Sequence, residues 1–111
     1  MTTPRADVLI VGGGIGGLVL ALSLHQAGVS CRVLESTSEI QPLGVGINLL
    51  PHAMRELSEL GLQDKLAALA IETRTLAYYS RHGQPIISDP RGRYAGYDWP
   101  QIGRASCRER V

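Results

Sequence analysis

The amino-acid sequence predicts an α/β domain that begins with a βαβ unit, and three segments near its start indicate this. A short, mostly apolar run over Asp7–Val11 ends abruptly in glycine. Such a run is typical of a buried parallel strand that is apolar on both faces. Ile15–Ala27 is long enough for a helix, and Gly28 follows it where a left-handed residue is expected. Cys31–Leu34 supplies a second strand, and the crossover should be right-handed.

The middle of the chain predicts a loop followed by two helices. Ser36–Asn48 contains proline and glycine and is expected to be a loop. A helix should begin at Pro51 and end at Gly61, and a shorter one should cover Leu62–Ala70. The residues expected to face inward are Ala53, Met54, Leu57 and Leu60 in the first helix, and Leu62, Leu66 and Leu69 in the second.

The last predicted elements are a β-hairpin and a loop. Arg74–Ser80 and Pro85–Ser88 have the composition of strands, and His82-Gly83 between them suggests a turn. Tyr78 and Tyr79 should face opposite sides, one towards a core and one towards solvent. Asp89–Pro100 is rich in Pro, Gly and Tyr and predicts a loop.

Composition excludes several classes of protein. The 111 residues carry 11 basic and 10 acidic side chains, without a basic stripe or acidic tail, so neither nucleic acid nor a membrane surface is expected as a partner. Two cysteines suggest neither a disulfide framework nor a metal site, and favour a cytoplasmic protein. The apolar stretch Val8–Leu24 is interrupted by five glycines and is short for a membrane span or a signal peptide.

A glycine motif joins the first strand to the first helix. Gly12, Gly14 and Gly17 form the pattern Gly-x-Gly-x-x-Gly, which allows a sharp turn, close approach of a pyrophosphate and close helix packing. Glu35 ends the second strand, 18 residues after Gly17, where a carboxylate accepts hydrogen bonds from ribose hydroxyls and repels a 2′-phosphate. Together they predict a Rossmann-like FAD- or NAD(P)-binding domain.

A resemblance narrows the choice of dinucleotide. The spacing of Ala21, Leu24, Gly28, Val33 and Glu35 matches the extended fingerprint of FAD enzymes with this fold. The segments 43–51, 57–62, 72–73, 90–92, 95–96 and 99–101 resemble the group A flavoprotein monooxygenases, the para-hydroxybenzoate hydroxylase type. Within that group the chain is most similar to the phenazine monooxygenases that hydroxylate 5-methylphenazine-1-carboxylate.

The resemblance implies an enzyme and its cofactors. NADH or NADPH would reduce FAD, and the reduced flavin would use O₂ to hydroxylate a small aromatic substrate. The resemblance also implies a set of cofactor-binding residues, of which the glycines of the 44–46 loop lie towards the flavin: Gly12, Gly14, Ile15, Gly16, Gly17, Glu35, Ser36, Gly44, Val45 and Gly46. It implies no catalytic residue, metal ligand or oligomeric state within this chain.

Two alternatives to a flavin monooxygenase share the same first unit. An NAD-dependent dehydrogenase would continue its parallel sheet soon after Glu35. A non-catalytic dinucleotide-binding module would bind ADP without the yellow colour of flavin. Of the three histidines only His52, beside the predicted loop, merits testing, and a structural or solvent-facing role is favoured for it.

The final ten residues depart from the family pattern. After Gln101 the family continues with an aromatic residue and Ser-Ile-His-Arg-Gly, whereas this chain has Ile-Gly-Arg-Ala-Ser-Cys-Arg-Glu-Arg-Val. The codons ATC GGA AGA GCG TCG TGT AGG GAA AGA GTG encode that string and resemble a sequencing-library adapter. We therefore expect 1–101 to be a partial FAD-binding domain, with its second FAD motif beyond it, and 102–111 to be translated adapter. Arg104 is accordingly not assigned the role of the family's FAD-binding arginine.

A long sequencing read across codon 101 of the source DNA tests this expectation. The reading frame should continue into Ser-Ile-His-Arg-Gly and several hundred further codons, as the resemblance implies. Source DNA that encodes the ten final residues and then stops would contradict it. The segment contains three arginines and one glutamate, so its removal changes the net charge from +1 to −1.

Overall fold

The computed structural model describes residues 5–41 and 46–105, which fall into two compact units. The first unit spans Met1–Leu43 and the second Gly44–Val111. The predicted α/β class is confirmed: a βαβ unit comes first, and helices and a β-hairpin follow it. Gly44 and Val45, both expected in the cofactor loop, lie outside the described residues.

The first unit is the predicted βαβ unit. Strand β1 covers Val8–Val11, helix α1 Ile15–Gln26 and strand β2 Cys31–Leu34. The strands pair in parallel, with Val8 opposite Cys31 and Val11 opposite Leu34. The helix ends one residue earlier than predicted, and Gly28 has the expected left-handed conformation, with φ +74°.

The faces of this unit are more exposed than the sequence suggested. Ile10 is buried, but Leu9 is 62% and Val11 86% exposed, and α1 has no fully buried residue. The expectation of a strand buried on both faces is therefore wrong for this chain. An apolar parallel strand is buried only where helices or further strands cover both faces, and here Ile10 is the only fully buried residue of β1, with Val8 half-buried.

The second unit contains all the remaining elements. They are β3 Gly46–Leu49, α2 Pro51–Glu59, α3 Gln63–Leu69, β4 Ile71–Glu72, β5 Thr75–Tyr79, β6 Pro85–Pro90, a 3₁₀ helix Gly92–Ala95 and β7 Ile102–Ala105. Strand β7 lies between β3 and β4 and is antiparallel to both. Strands β5 and β6 form the predicted hairpin, in which Gly83 has φ +80°.

Helix α2 follows its prediction closely. It begins at Pro51, whose missing N–H costs nothing in the first turn of a helix. Met54 is 1% exposed and is the largest fully buried side chain among the described residues. Gly61 ends the helical segment with φ +76°, and its N–H donates to the carbonyl of Ser58 at 2.9 Å.

Four expectations for the second unit need correction. The loop predicted to reach Asn48 contains β3, because the 46–49 backbone pairs with β7. Leu69 is 60% exposed rather than inward. Tyr78 and Tyr79 are both exposed, at 54% and 62%, because the two-stranded hairpin has a bulge between them and little cover. The loop predicted over 89–100 contains the end of β6 and the 3₁₀ helix.

Strand β7 consists of residues that the sequence attributes to adapter. Its pairing runs through backbone groups, which any residue except proline can provide. In the described part of the chain, no helix is both long and apolar enough to cross a membrane.

Candidate cofactor site

The turn between β1 and α1 brings the motif glycines together. Gly12 has φ +109°, and its N–H donates to the carbonyl of Leu34 at 2.7 Å. Gly14 is the N-cap of α1, with no side-chain cap, and no acidic residue follows in the first turn. The first N–H groups of a helix have no partner within it. Those of Ile15, Gly16 and Gly17 therefore make the start of α1 suited to an anion.

Gly12, Gly14, Gly16 and Gly17 fall into two groups according to what a side chain would meet. A Cβ at Gly17 would overlap the carbonyl oxygen of Gly12 and come within 3.3 Å of Ile10. A Cβ at Gly12, Gly14 or Gly16 would meet no atom within 4 Å. Gly17 is thus needed for packing of α1 on the strand. The space beside the other glycines is open, as a binding site for the pyrophosphate of a dinucleotide requires.

Glu35 connects the end of β2 to this turn. Its Oε2 accepts a hydrogen bond from the N–H of Gly13 at 2.6 Å. Its Oε1 accepts bonds from the N–H and hydroxyl of Thr37, at 2.9 and 3.0 Å, and from the Ser36 hydroxyl at 3.2 Å. These donors, the Thr37 N–H foremost and then that of Gly13, lower the pKa of Glu35 to about 2. The carboxylate is consequently held charged and oriented.

Gly13 and Thr37 are site residues that the sequence motif did not identify. Gly13 occupies a variable position of the glycine pattern, yet it is buried and binds Glu35. A Cβ at Gly13 would lie 3.1 Å from Oε2 of Glu35, so glycine allows the carboxylate to come this close. The only available signal was the run of three consecutive glycines at 12–14.

The predicted flavin-end loop is described only from Gly46, the exposed first residue of β3. Two residues further along this strand, Asn48 accepts a hydrogen bond from the side-chain amide of Gln101 at 3.2 Å. Gln101 is 4% exposed, and its carbonyl accepts the N–H of Thr73 at 2.8 Å. This buried amide fixes β3 in place, and the sequence reasoning did not single it out.

A second feature keeps Gln101 in position. Gly92 is buried and has φ +55°, and a Cβ there would overlap the backbone nitrogen of Gln101. Arg93 and Glu72 form an ion pair at 3.1 Å, and the guanidinium of Arg74 lies 5.3 Å from the ring centre of Tyr94. The segment before β7 is therefore held against β4 and against Arg74, the residue that precedes β5.

No metal centre is evident in the described ranges 5–41 and 46–105, because no three His, Cys, Asp or Glu side chains there are placed to share an ion. His52 is exposed at the start of α2, in agreement with the solvent-facing role favoured for it. A βαβ unit with a glycine turn, an open helix start and a strand-end carboxylate defines a dinucleotide-binding protein.

Comparison with known proteins shows which kind of dinucleotide-binding domain this is. Residues 5–101 match the family described as FAD binding domain. The chain is 48% identical over 101 residues to the phenazine 1,6-dicarboxylic acid hydroxylase of Lysobacter antibioticus. This alignment covers 90% of this chain and 25% of that protein. It is 40% identical over 86 residues to the 3-amino-4-hydroxybenzoate 2-monooxygenase of Streptomyces cremeus, covering 77% of this chain and 22% of that protein.

A solved structure of a monooxygenase also resembles this chain. The p-nitrophenol 4-monooxygenase of Pseudomonas putida DLL-E4 superposes with a TM-score of 0.80 at 32% identity, over 95% of this chain and 27% of that one. The chain thus spans about a quarter of the length of the relatives it matches. It belongs to the FAD binding domain family, and its cofactor is FAD.

The low pKa of Glu35 predicts a specific pH dependence. A pKa lowered from 4.5 to about 2 means that the carboxylate stabilises the fold fully above about pH 4.5. That contribution is lost as the pH falls through about 2. The amide resonance of Gly13 should therefore titrate with a midpoint of about 2.

Two variants provide controls for this titration. Glu35→Gln should abolish the transition at Gly13. Ser36→Ala should leave the midpoint nearly unchanged, since the Ser36 hydroxyl has the smallest effect on this pKa of the four hydrogen bonds. A midpoint near 4.5 in the unmodified chain would show that Glu35 is not held as described.

Proposed function

We propose that the first unit binds the ADP half of FAD between the glycine turn and Glu35. The open space beside Gly12, Gly14 and Gly16 is the observation that carries this proposal, because it adjoins the free N–H groups of α1. The pyrophosphate would accept hydrogen bonds from those N–H groups, among them Ile15 and Gly16. Gly17 would act indirectly, by setting the distance between helix and strand.

Glu35 would hold the ribose, and the geometry favours one of its oxygens. Oε1 already accepts three hydrogen bonds, whereas Oε2 accepts only that of Gly13. A carboxylate has about four acceptor positions, two on each oxygen. Oε2 is therefore the oxygen with room for a ribose hydroxyl. Ser36 would assist by orienting the carboxylate, and its hydroxyl already donates to Oε1.

We propose that the loop containing Gly44, Val45 and Gly46 lies towards the flavin end of the cofactor, as the resemblance implies. A chain without bulky side chains can approach a planar ring closely. The buried amide of Gln101 supports this role, because it fixes Asn48 two residues after Gly46. Through this hydrogen bond, Gln101 would keep the loop at a constant position.

We propose that the intact parent is an FAD-dependent monooxygenase that hydroxylates a small aromatic substrate with NADH or NADPH and O₂. The flavin supplies the redox chemistry when bound. Support comes from the relatives, whose names specify hydroxylation of phenazine 1,6-dicarboxylic acid and of 3-amino-4-hydroxybenzoate. In the described residues β1 pairs only with β2, and two helices and a hairpin come later in the chain, whereas a dehydrogenase is expected to continue its parallel sheet soon after Glu35.

Two further proposals concern the chain itself. We infer a cytoplasmic location, since Cys31 is a free thiol and free thiols are usual in reducing compartments. We also infer that residues 102–111 are translated adapter, with 1–101 as the native partial domain. The family match over 5–101 and the departure of 102–111 from the family pattern support this inference.

Gly14→Ala tests the proposed pyrophosphate site. A methyl group at residue 14 meets nothing within 4 Å, so the variant should keep its fold. It would occupy the space of the pyrophosphate, and ADP affinity should fall by about tenfold or more, which corresponds to at least about 1.4 kcal/mol. Isothermal titration calorimetry with ADP and with FAD measures the loss.

The matched control is Ser23→Ala, on the same helix but near its other end. It removes only a hydroxyl that donates to the carbonyl of Val19, and ADP binding should be unchanged. Equal affinity of Gly14→Ala and the unmodified chain, with both shown to be folded by circular dichroism, would place the pyrophosphate elsewhere.

A further inference from the structure

Thr37, shortly after the end of β2, donates two hydrogen bonds to the carboxylate of Glu35. Its N–H and its hydroxyl both donate to Oε1, at 2.9 and 3.0 Å. The Ser36 hydroxyl donates to the same oxygen at the longer distance of 3.2 Å. Thr37 is exposed, so water would be able to satisfy both of its donors. Their convergence on one oxygen instead indicates that Thr37 controls the orientation of this carboxylate.

The donors of Thr37 leave one side of the Glu35 carboxylate open. A carboxylate oxygen accepts about two hydrogen bonds, and three donors already converge on Oε1. In the described part of the chain, Oε2 accepts only the N–H of Gly13, at 2.6 Å. A hydroxyl that approaches from the glycine turn would therefore meet Oε2.

Glu35 is held by neutral donors and not by a cation. Among the residues that the structure describes, no ion pair includes Glu35. An arginine would engage both oxygens of a carboxylate in a bidentate pair. The neutral donors keep the carboxylate charged without covering it in this way. The Thr37 N–H foremost, then the Gly13 N–H and the Thr37 hydroxyl, lower the pKa of Glu35 to about 2.

We propose that Thr37 is a positioning residue, which fixes the Glu35 carboxylate so that Oε2 faces a ribose hydroxyl, and that it thereby makes the site prefer a ribonucleotide. The inference rests on the proposed function, in which Glu35 holds the ribose of the ADP half of FAD. Thr37 would act through Glu35 and not on the nucleotide itself, because Oε1 engages both of its donors.

A purely structural role for Thr37 predicts a different result. A hydrogen bond between a side chain and the backbone two residues away also stabilises a local turn. Loss of such a turn would weaken the binding of every nucleotide equally, whereas loss of positioning would weaken only nucleotides that carry ribose hydroxyls. The test therefore compares ADP with 2′,3′-dideoxy-ADP, which lacks both hydroxyls, by isothermal titration calorimetry on the full chain.

Thr37→Val removes the hydroxyl at nearly constant volume and keeps the N–H. The unmodified chain should bind ADP at least about tenfold more tightly than 2′,3′-dideoxy-ADP, because the analogue cannot donate to the carboxylate. In Thr37→Val this ratio should fall by about threefold or more, since a less constrained carboxylate loses part of that hydrogen bond. Affinity for the analogue should be unchanged. Thr37→Ser keeps a hydroxyl and should retain the ratio.

Ser30→Ala is the matched control. The Ser30 hydroxyl also donates to an exposed carboxylate, that of Asp7 at 2.7 Å, but at the opposite end of the two parallel strands. Its removal should leave the affinities for both nucleotides unchanged.

The amide resonance of Gly13 gives a second measurement, which needs no nucleotide. Its titration midpoint should rise in Thr37→Val, because a hydrogen bond that lowers the pKa of Glu35 is lost. The midpoint should not change in Ser30→Ala, since the Ser30 hydroxyl donates to Asp7.

Two results would overturn the inference. These are an unchanged ratio of the two affinities in a folded Thr37→Val variant, and equal weakening of ADP and 2′,3′-dideoxy-ADP binding. If Thr37→Val does not fold, the same comparison on Thr37→Ala decides. An unmodified chain that binds ADP no better than the analogue would contradict the assignment of Glu35 to the ribose, and thus the proposed function itself.

Discussion

The hydrogen bond from the Gly13 N–H to the carboxylate of Glu35 is the constraint on which the first unit depends. It joins the turn after β1 to the end of β2, 22 residues further along the chain. Hydrogen bonds to a charged acceptor are stronger than neutral ones. The same bond holds the Glu35 carboxylate beside the glycine turn, where we propose that the ribose lies. One hydrogen bond therefore both stabilises the turn and orients the carboxylate for the proposed contact with ribose.

Of the glycines around this bond, some are required for packing and others leave space for a ligand. Gly17 lets α1 lie against the strand, and Gly13 lets Glu35 approach the turn. Gly14 has free space beside it and is available to a ligand. Because the same residue type serves three purposes, a change of glycine to alanine has different consequences at each position. This difference allows folding and binding to be separated experimentally.

A buried amide has the corresponding role in the second unit. Gln101 donates to Asn48 on β3 and accepts from Thr73 after β4, so that one residue links the two outer strands. Gly92 leaves the space in which its backbone lies.

Local patterns in the sequence were sufficient for much of the fold. The β1–α1–β2 unit follows from apolar runs and glycine spacing, and α2 follows from Pro51, Gly61 and the residues between them. Strands β3 and β4 could not be predicted in this way. Each is short and pairs with β7, so its formation depends on contacts distant in sequence rather than on local composition.

In the candidate site, too, some residues could be predicted from local sequence and others could not. Gly12, Gly14, Gly17 and Glu35 are recognisable because their spacing is fixed by the turn and the crossover. Gly13 binds Glu35 through its backbone N–H and Thr37 through its N–H and hydroxyl, and the spacing of the glycine motif marks neither residue. The exposure of Leu9, Tyr78 and Tyr79 was not predictable either, since it depends on what covers a strand and not on the strand itself.

The most direct test of the central claim is an amide-resolved NMR titration of the chain with ADP and with ADP that carries a 2′-phosphate. ADP should shift the amide resonances of residues 13–17, which lie at the glycine turn and the start of α1. The 2′-phosphate should prevent those shifts at the same concentration, because it would lie against the charged Glu35. Shifts confined to the second unit, or equal shifts with both nucleotides, would contradict the assignment of this turn and this carboxylate to the ADP half of FAD.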